Sequence, residues 1–407
     1  MRRVVVTGMG IVSSLGHTVS AAYKRMKTLR NCVEVSEDLA TYKGLQSRLW
    51  APSRFERPAH YTRKVVRTMS PVSMMALAAT EQALAQASLA GDPLVTGGRM
   101  GIAYGSCAGG VEANSDFYSI LRNREVKDVT SATYIKMMAQ TCAVNLSVHL
   151  GTTGRLLPTG TACTSGSLAI GEAYEAIAWG RQDLMIAGGA EEFSATQVAV
   201  FDTLFASSCR NDSPDATPRA FDVARDGLVI GDGAATLILE EREHALARGA
   251  TIIAEVAGFG TNTDGRHVTQ PSAQTQAVAL RLAIDDAGIG ASDIGYVNAH
   301  GTATELGDIS EGTALASVFG TARPAVSTIK NYTGHTLGAC GAIEAVMTIE
   351  MLRHGWFAPN LNLTDPDVRC GDHDFIMGEG RVFEPEFAMS NNFAFGGVNT
   401  SLVFRRV

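Results

Sequence analysis

Leu156-Leu157-Pro158-Thr159-Gly160-Thr161-Ala162-Cys163-Thr164-Ser165-Gly166 is the stretch on which the fold turns. An apolar start gives way to small and hydroxylated residues, and Leu168-Ala169-Ile170-Gly171-Glu172-Ala173 continues in a helical pattern. Asp183-Leu184-Met185-Ile186-Ala187-Gly188-Gly189 follows, an apolar run too continuous to keep one face in water. The order is strand, Gly-rich turn, helix, buried strand, which is the repeating unit of α/β sheets. Cys163 falls on the strand-to-helix turn.

The same alternation extends both ways. Val4-Val5-Val6-Thr7-Gly8-Met9-Gly10 reads as a buried strand entering a Gly turn. A helical pattern covers about 63–90, with strands expected over 100–104 and 236–239 and a short helix over 240–248. The pattern then restarts with a strand over 251–256, a helix over 274–287 and a strand over 294–298 that ends at His300. A helix over 341–354 and a strand over 400–404 close the chain. The spacing predicts two similar halves, 1–245 and 250–407, although no residue-by-residue repeat is evident.

The chain has 407 residues, 45% of them apolar, with 42 glycines and only 18% charged residues. Such a composition suits a large, tightly packed core and excludes disorder, collagen and coiled coil. The net charge of −7 argues against a nucleic-acid partner held by overall charge. The first residues lack the apolar run of a signal peptide, and no window approaches a membrane span. Seven scattered cysteines without a Cys-x-x-Cys pair argue against a disulfide scaffold or a zinc site and for a reducing cytoplasm.

Four segments rich in Gly, Ser and Thr carry the chemistry. The first holds Cys163 at a helix start, where free N–H groups and the helix dipole favour a thiolate and lower the thiol pKa. Most free cysteines are buried small apolar groups, which is how the other six are read; Cys107 comes nearest to this setting. The second is Asn298-Ala299-His300-Gly301-Thr302-Ala303-Thr304, with His300 just past a strand end, where α/β proteins place ligands. The third runs from Lys330 through Asn331-Tyr332-Thr333-Gly334 to His335, and Glu344 follows in the next helix. The fourth is Ser390-Asn391-Asn392-Phe393-Ala394-Phe395-Gly396-Gly397, whose aromatics suit a flap over an apolar tunnel or a hairpin turn with core aromatics. One Cys and two turn-borne His suit a decarboxylative acyl condensation. A thiolate takes the acyl chain as a thioester. Two imidazoles supply donors to the enolate left when a malonyl thioester loses CO2. No metal and no cofactor are required.

These segments, in this order, resemble the β-ketoacyl-acyl-carrier-protein synthases of the elongating type, within the thiolase superfamily. Arg63-Lys64-Val65-Val66-Arg67 followed by Met69-Ser70 is most similar to the type I synthases, and Phe221-Asp222-Val223-Ala224-Arg225-Asp226-Gly227 adds to the likeness. The resemblance implies an α/β, thiolase-like, duplicated five-layer α-β-α-β-α architecture. It implies condensation of an acyl thioester on Cys163 with malonyl-acyl carrier protein, in fatty-acid or related polyene or polyketide elongation. His300 and His335 match the pair that assists decarboxylation, and Lys330 the lysine that orders the site, with Glu344 as its ionic partner. Thr302 and Thr304 match the threonines that bind phosphopantetheine. The N–H groups of Cys163 and Phe395 match the oxyanion hole. Phe395 also matches a gate, Phe393 supports it, and 264–269 matches a second gating loop. The implied partners are acyl carrier protein and either a second copy or a related ketosynthase in a dimer.

The chain departs from the family at Ala394, where Gly is usual, and at Thr164 and Asn331-Tyr332. The added Cβ of Ala394 would limit a positive-φ state there. Arg63, Lys64 and Arg67, expected on one helical face, and Arg122, Arg124 and Lys127 match the regions that dock the acidic carrier. Because bulk charge repels that carrier, docking rests on these local cations. The other reading is a non-elongating partner subunit like a chain-length factor, which would usually lack the nucleophilic Cys.

Overall fold

A computed structural model describes residues 1–127 and 129–407. Eleven strands form the main sheet: β1 (Val4–Ser13), β2 (Met100–Gly105), β3 (Leu156–Thr159), β4 (Leu184–Glu191), β5 (Gly233–Glu241), β6 (Ala254–Thr263), β7 (Ile294–Asn298), β8 (Ala325–Ser327), β9 (Asp374–Phe375), β10 (Phe387–Phe393) and β11 (Val398–Arg405). Their spatial order is β9-β8-β7-β10-β11-β6-β1-β5-β4-β2-β3.

That order is one pattern used twice. In the first half β1 is antiparallel to β5 and β5 to β4, and β4, β2 and β3 are parallel. In the second half β6 is antiparallel to β11 and β11 to β10, and β10, β7 and β8 are parallel. The halves join through antiparallel pairing of Val4, Val5 and Val6 with Val256, Glu255 and Ala254. A short β9 extends the second half beside β8.

Helices fill the remaining layers. The helix Pro71–Gln86 lies outside β1 and β5, and Ala273–Ala287 lies outside β6 and β11. Between the halves of the sheet run Ser165–Ala178 and Cys340–His354, packed on each other. Cys340–His354 touches both β5 and β10 and is buried over its first thirteen residues, Cys340 to Leu352. A helix covered all round must be apolar or internally paired, and this one carries only Glu344 and Glu350 as buried acids.

The duplication reaches individual residues. In β1 a Cβ on Gly8 or Gly10 would sit 2.1 Å from the carbonyl oxygen of Ala83 or 1.9 Å from that of Ala79. In β6 a Cβ on Gly258 or Gly260 would meet those of Ala283 and Ala279 at 2.4 Å and 2.1 Å. Each outer helix thus lies directly on backbone. The two central helices also begin alike. Ala162 and Leu337 have φ of 52° and 47°, and each opens a 3-10 turn, Ala162–Thr164 or Leu337–Ala339. Left-handed backbone at a residue with a side chain is uncommon and recurs at functional sites.

The helix expected over 63–90 is shorter. A 3-10 turn, Val65–Thr68, comes first and the α-helix starts at Pro71. Proline has no N–H and forces the preceding residue out of helical geometry, so it can open a helix but cannot continue one. Arg63, Lys64 and Arg67 therefore do not share an α-helical face, although all three are exposed.

Gly10→Ala and Gly260→Ala should each destabilise the protein by about 1–3 kcal/mol through overpacking. Gly290→Ala, whose added Cβ finds nothing nearer than 3.4 Å, should leave stability unchanged. Denaturant unfolding midpoints check this. Equal stability of all three variants would contradict the close helix–strand contact.

Candidate active site

Cys163 lies in the 3-10 turn that starts one central helix, and His335 comes from the loop that starts the other. His335 Nε2 is 3.0 Å from Cys163 Sγ. The backbone N–H groups of Phe395 and of Cys163 itself favour negative charge on the same sulfur. The His300 ring stands nearly perpendicular to that of His335, with centroids 5.3 Å apart.

The protons on both imidazoles follow from their other nitrogens. His335 Nδ1 accepts the Leu337 N–H at 3.2 Å. His300 Nδ1 faces the Lys330 ammonium at 3.1 Å and the Asn392 amide NH2 at 3.3 Å, and an ammonium can only donate. In the neutral rings the hydrogen therefore sits on Nε2 of each. Burial, then Lys330 and the neighbouring His335, holds His300 well below the usual histidine range, and burial with Lys330 does the same to His335. The pair consists of two neutral Nε2–H donors. The Cys163 sulfur and a nitrogen of each ring lie within 4.8 Å of one another. The tautomers oppose metal ligation there, because Nε2 already carries its proton.

Lys330 donates to Glu344, whose other oxygen accepts from Asn392 at 2.7 Å. Burial works against the Lys330 charge, but the Glu344 carboxylate beside it holds the ammonium above its ordinary range. Glu311 accepts the backbone N–H groups of His300 and Gly301, both at 2.8 Å, and so anchors the His300 turn. The sequence reading missed Asn392, Glu311 and Leu337. The polar run Ser390-Asn391-Asn392 in a fully buried strand was a signal for the first.

The thiol does not follow the helix-start expectation. Burial pushes Cys163 up to about 11, against the Lys330 ammonium and the N–H groups of Phe395 and Cys163, which pull it down. Desolvation outweighs these donors.

Cys163, His300 and His335 end a cavity of about 490 Å³ that Thr302, Thr304, Phe393 and Phe395 also line. The Thr302 and Thr304 hydroxyls lie 2.9 Å apart. Phe393 ends β10 and is buried, 6.1 Å from the His300 ring. Residues 394–397 connect β10 and β11 as a hairpin turn, and Phe395 packs edge-on against Phe201. Gly396 N–H donates to Val268 O and Asp264 N–H to Gly397 O, so the 264–269 loop is tied to this turn. Ala394 is not left-handed; Gly396 and Gly397 carry the positive φ values, and Ala394 packs against the buried cluster to which Cys163 and Phe201 belong. The other unusual residues are structural. Asn331 bonds the backbone of Ala220 and Leu361, the Tyr332 hydroxyl donates to Pro359 O, and Thr164 bonds back to Thr161.

Arg122, Arg124 and Lys127 are exposed, as are Arg63, Lys64 and Arg67. The helix Ser131–Met137 packs between the helix Val111–Asn123, which leads into the first group, and the turn beside the second. Among the described residues no helix is long and apolar enough to cross a membrane.

Residues 1–245 match the family described as Beta-ketoacyl synthase, N-terminal domain, and residues 253–364 match Beta-ketoacyl synthase, C-terminal domain. The chain is 36% identical to 3-oxoacyl-[acyl-carrier-protein] synthase 1 of Escherichia coli over 409 residues, covering all of both chains. It is 38% identical over 413 residues to 3-oxoacyl-[acyl-carrier-protein] synthase 2 of Vibrio cholerae, covering 100% of this chain and 99% of that one. The crystal structure of a beta-ketoacyl synthase from Burkholderia phymatum superposes with a TM-score of 0.98 at 55% identity, covering all of both chains.

Lys330→Met should cost about 3–5 kcal/mol by leaving Glu344 buried and unpaired. Lys330→Met combined with Glu344→Leu should regain most of it. Unfolding free energies of the three proteins check this; equal losses in the single and double variants would contradict a coupled pair.

Proposed function

Because the chain belongs to the beta-ketoacyl synthase family, we propose that it joins an acyl chain held on Cys163 to malonyl-acyl carrier protein, releasing CO2 and forming 3-oxoacyl-acyl carrier protein. The observation that carries the residue roles is the 3.0 Å contact between Cys163 Sγ and His335 Nε2. Residues 1–245 supply the nucleophile and 250–407 the histidines.

In the first step the Cys163 sulfur attacks the carrier-bound acyl thioester. The carbonyl oxygen becomes an oxyanion against the N–H groups of Cys163 and Phe395, and the carrier sulfur leaves, taking up the proton given up by the Cys163 thiol. Thr302 and Thr304, on the cavity wall, bond the amides of the phosphopantetheine arm. A malonyl thioester then replaces the first arm. As its C–C bond to the carboxylate breaks and CO2 leaves, negative charge moves onto the thioester oxygen. The Nε2–H groups of His300 and His335 donate to that oxygen without giving up a proton. The carbanion attacks the acyl carbon on Cys163, the same two N–H groups hold the new oxyanion, and Cys163 leaves as a thiolate. Lys330 orients His300 and favours the thiolate, with Glu344 as its counter-charge. Phe395 gates the passage, supported by Phe393 and the 264–269 loop.

Nothing in this sequence of steps calls for a cofactor beyond the carrier's phosphopantetheine. A cytoplasmic setting suits it. Arg63, Lys64, Arg67, Arg122, Arg124 and Lys127 receive the acidic carrier, and the working unit is a dimer with a second copy or a related ketosynthase. A non-elongating partner role finds no support in a site that holds the nucleophile and both imidazoles.

Cys163→Ala should lower malonyl-carrier-dependent elongation by about a thousandfold or more. Cys163→Gln should retain malonyl decarboxylation. Because both histidines are held well below 6.5, that decarboxylation should stay level as pH falls from 8 through 6.5 and decline only below. A midpoint at 6.5 would contradict neutral donors of depressed pKa. Arg67→Glu and Arg124→Glu should raise KM for the malonyl carrier at low salt with kcat unchanged, and the difference from wild type should shrink as salt rises. Unchanged KM values would remove these cations from the docking surface.

A further inference from the structure

One buried nucleophilic group near the reacting sulfur has no part in these steps. Cys340 opens the second central helix, and its Sγ lies 3.1 Å from the carbonyl oxygen of Cys163. Both residues belong to one buried cluster with Phe201, Leu337 and Ile230. Each sulfur comes within 4.8 Å of a ring nitrogen of His300, and the Lys330 ammonium acts on both. Their access differs: Cys163 lines the cavity, whereas Cys340 sits behind it, 2% exposed.

We propose that Cys163 and Cys340 form a modification site, a reversible disulfide made by hydroperoxides when no acyl chain occupies the nucleophile. The cavity leads a small peroxide to Cys163 and not to Cys340. The Cys163 thiolate attacks one peroxide oxygen, the O–O bond breaks, and sulfenic acid and hydroxide form. The sulfur is oxidised by two electrons and the peroxide is reduced. The Cys340 sulfur then attacks the Cys163 sulfur. The S–S bond forms, the S–O bond breaks, and the leaving hydroxide takes up the Cys340 thiol proton as water. In sum, two thiols and one hydrogen peroxide give a disulfide and two waters. A dithiol reductant reverses it by exchange. The bond keeps Cys163 from the irreversible sulfinic and sulfonic states. Burial raises both thiols, so the reaction is slow, which suits protection of an idle enzyme more than rapid signalling.

Cys107 is the competing thiol. Burial raises it too, and Cys163 is among the groups that act on it, but its backbone N–H is turned to Glu191 and it makes no contact with the Cys163 backbone like that of Cys340.

The experiment treats the full-length protein with hydrogen peroxide, blocks free thiols with N-ethylmaleimide, and maps peptides without reductant. The expected result in wild type is a joined Cys163–Cys340 peptide pair and a loss of activity that dithiothreitol restores. In Cys340→Ala the same peroxide dose should leave Cys163 as sulfinic or sulfonic acid, with activity not restored. A Cys163–Cys107 pair in wild type, or sulfinic acid at Cys163 to the same extent with and without Cys340, would overturn the proposal. The wild-type map decides the question even if the variant fails to fold. Prior loading with acyl carrier protein should prevent the pair, and this arm alone rests on the proposed reaction. A joined pair that persists after incubation with acyl-loaded carrier protein, with no acyl group found on Cys163, would leave the disulfide standing and count against the reaction.

Discussion

The two halves can share one active site because four glycines let their backbones touch. A Cβ on Gly189 would sit 2.5 Å from Gly338 O, and one on Gly166 3.0 Å from the same oxygen. One on Gly338 would meet the Cys107 nitrogen at 2.7 Å, and one on Gly341 the Ser167 nitrogen at 2.7 Å. None of the four has a left-handed φ, so glycine serves closeness here and not conformational freedom. The contact brings the starts of the central helices together, and with them Cys163 from one half and His335 from the other. Any side chain at this junction would part Cys163 from His335. Glu191 reinforces it by accepting N–H groups from Cys107 and Ala108 in one half and Gly338 in the other.

The same closeness expels water, and burial then governs the chemistry. Charged imidazoles are disfavoured, so the two rings remain neutral donors. The thiol is disfavoured as a thiolate by the same burial. Lys330 keeps its charge because Glu344 is beside it, and Asn392 occupies the remaining Glu344 oxygen. A pocket of this kind needs no rearrangement of its dipoles when an oxyanion forms, which is the condition under which a few N–H groups contribute most to rate.

Much of this was legible in the residues. The alternation of apolar runs and Gly-rich turns gave the α/β class, and Cys163, His300, His335 and Lys330 stood out because a thiol, two imidazoles and an ammonium lay in segments rich in Gly, Ser and Thr. The duplication was expected from the alternation of elements alone; its residue-level form, Val6-Thr7-Gly8-Met9-Gly10 against Val256-Ala257-Gly258-Phe259-Gly260, went unread. Its meaning emerged only when both glycine pairs were found under the outer helices. What the sequence concealed depends on distant partners. Leu337 fixes a tautomer through its backbone, Cys340 reaches Cys163 from another helix, and the thiol pKa is decided by desolvation, which no local pattern reports. The helix over 63–90 was overextended because apolar periodicity ran across Pro71, which local backbone chemistry does not allow.

The central claim is that the junction makes Cys163 the one acyl acceptor of the chain. Incubation with a mixture of acyl-loaded carrier proteins, followed by peptide mass spectrometry, tests it directly. The account predicts a single thioester-linked acyl group on Cys163, labile to hydroxylamine, with Cys107 and Cys340 unmodified. An unmodified Cys163, or an acyl group on another residue, would contradict it.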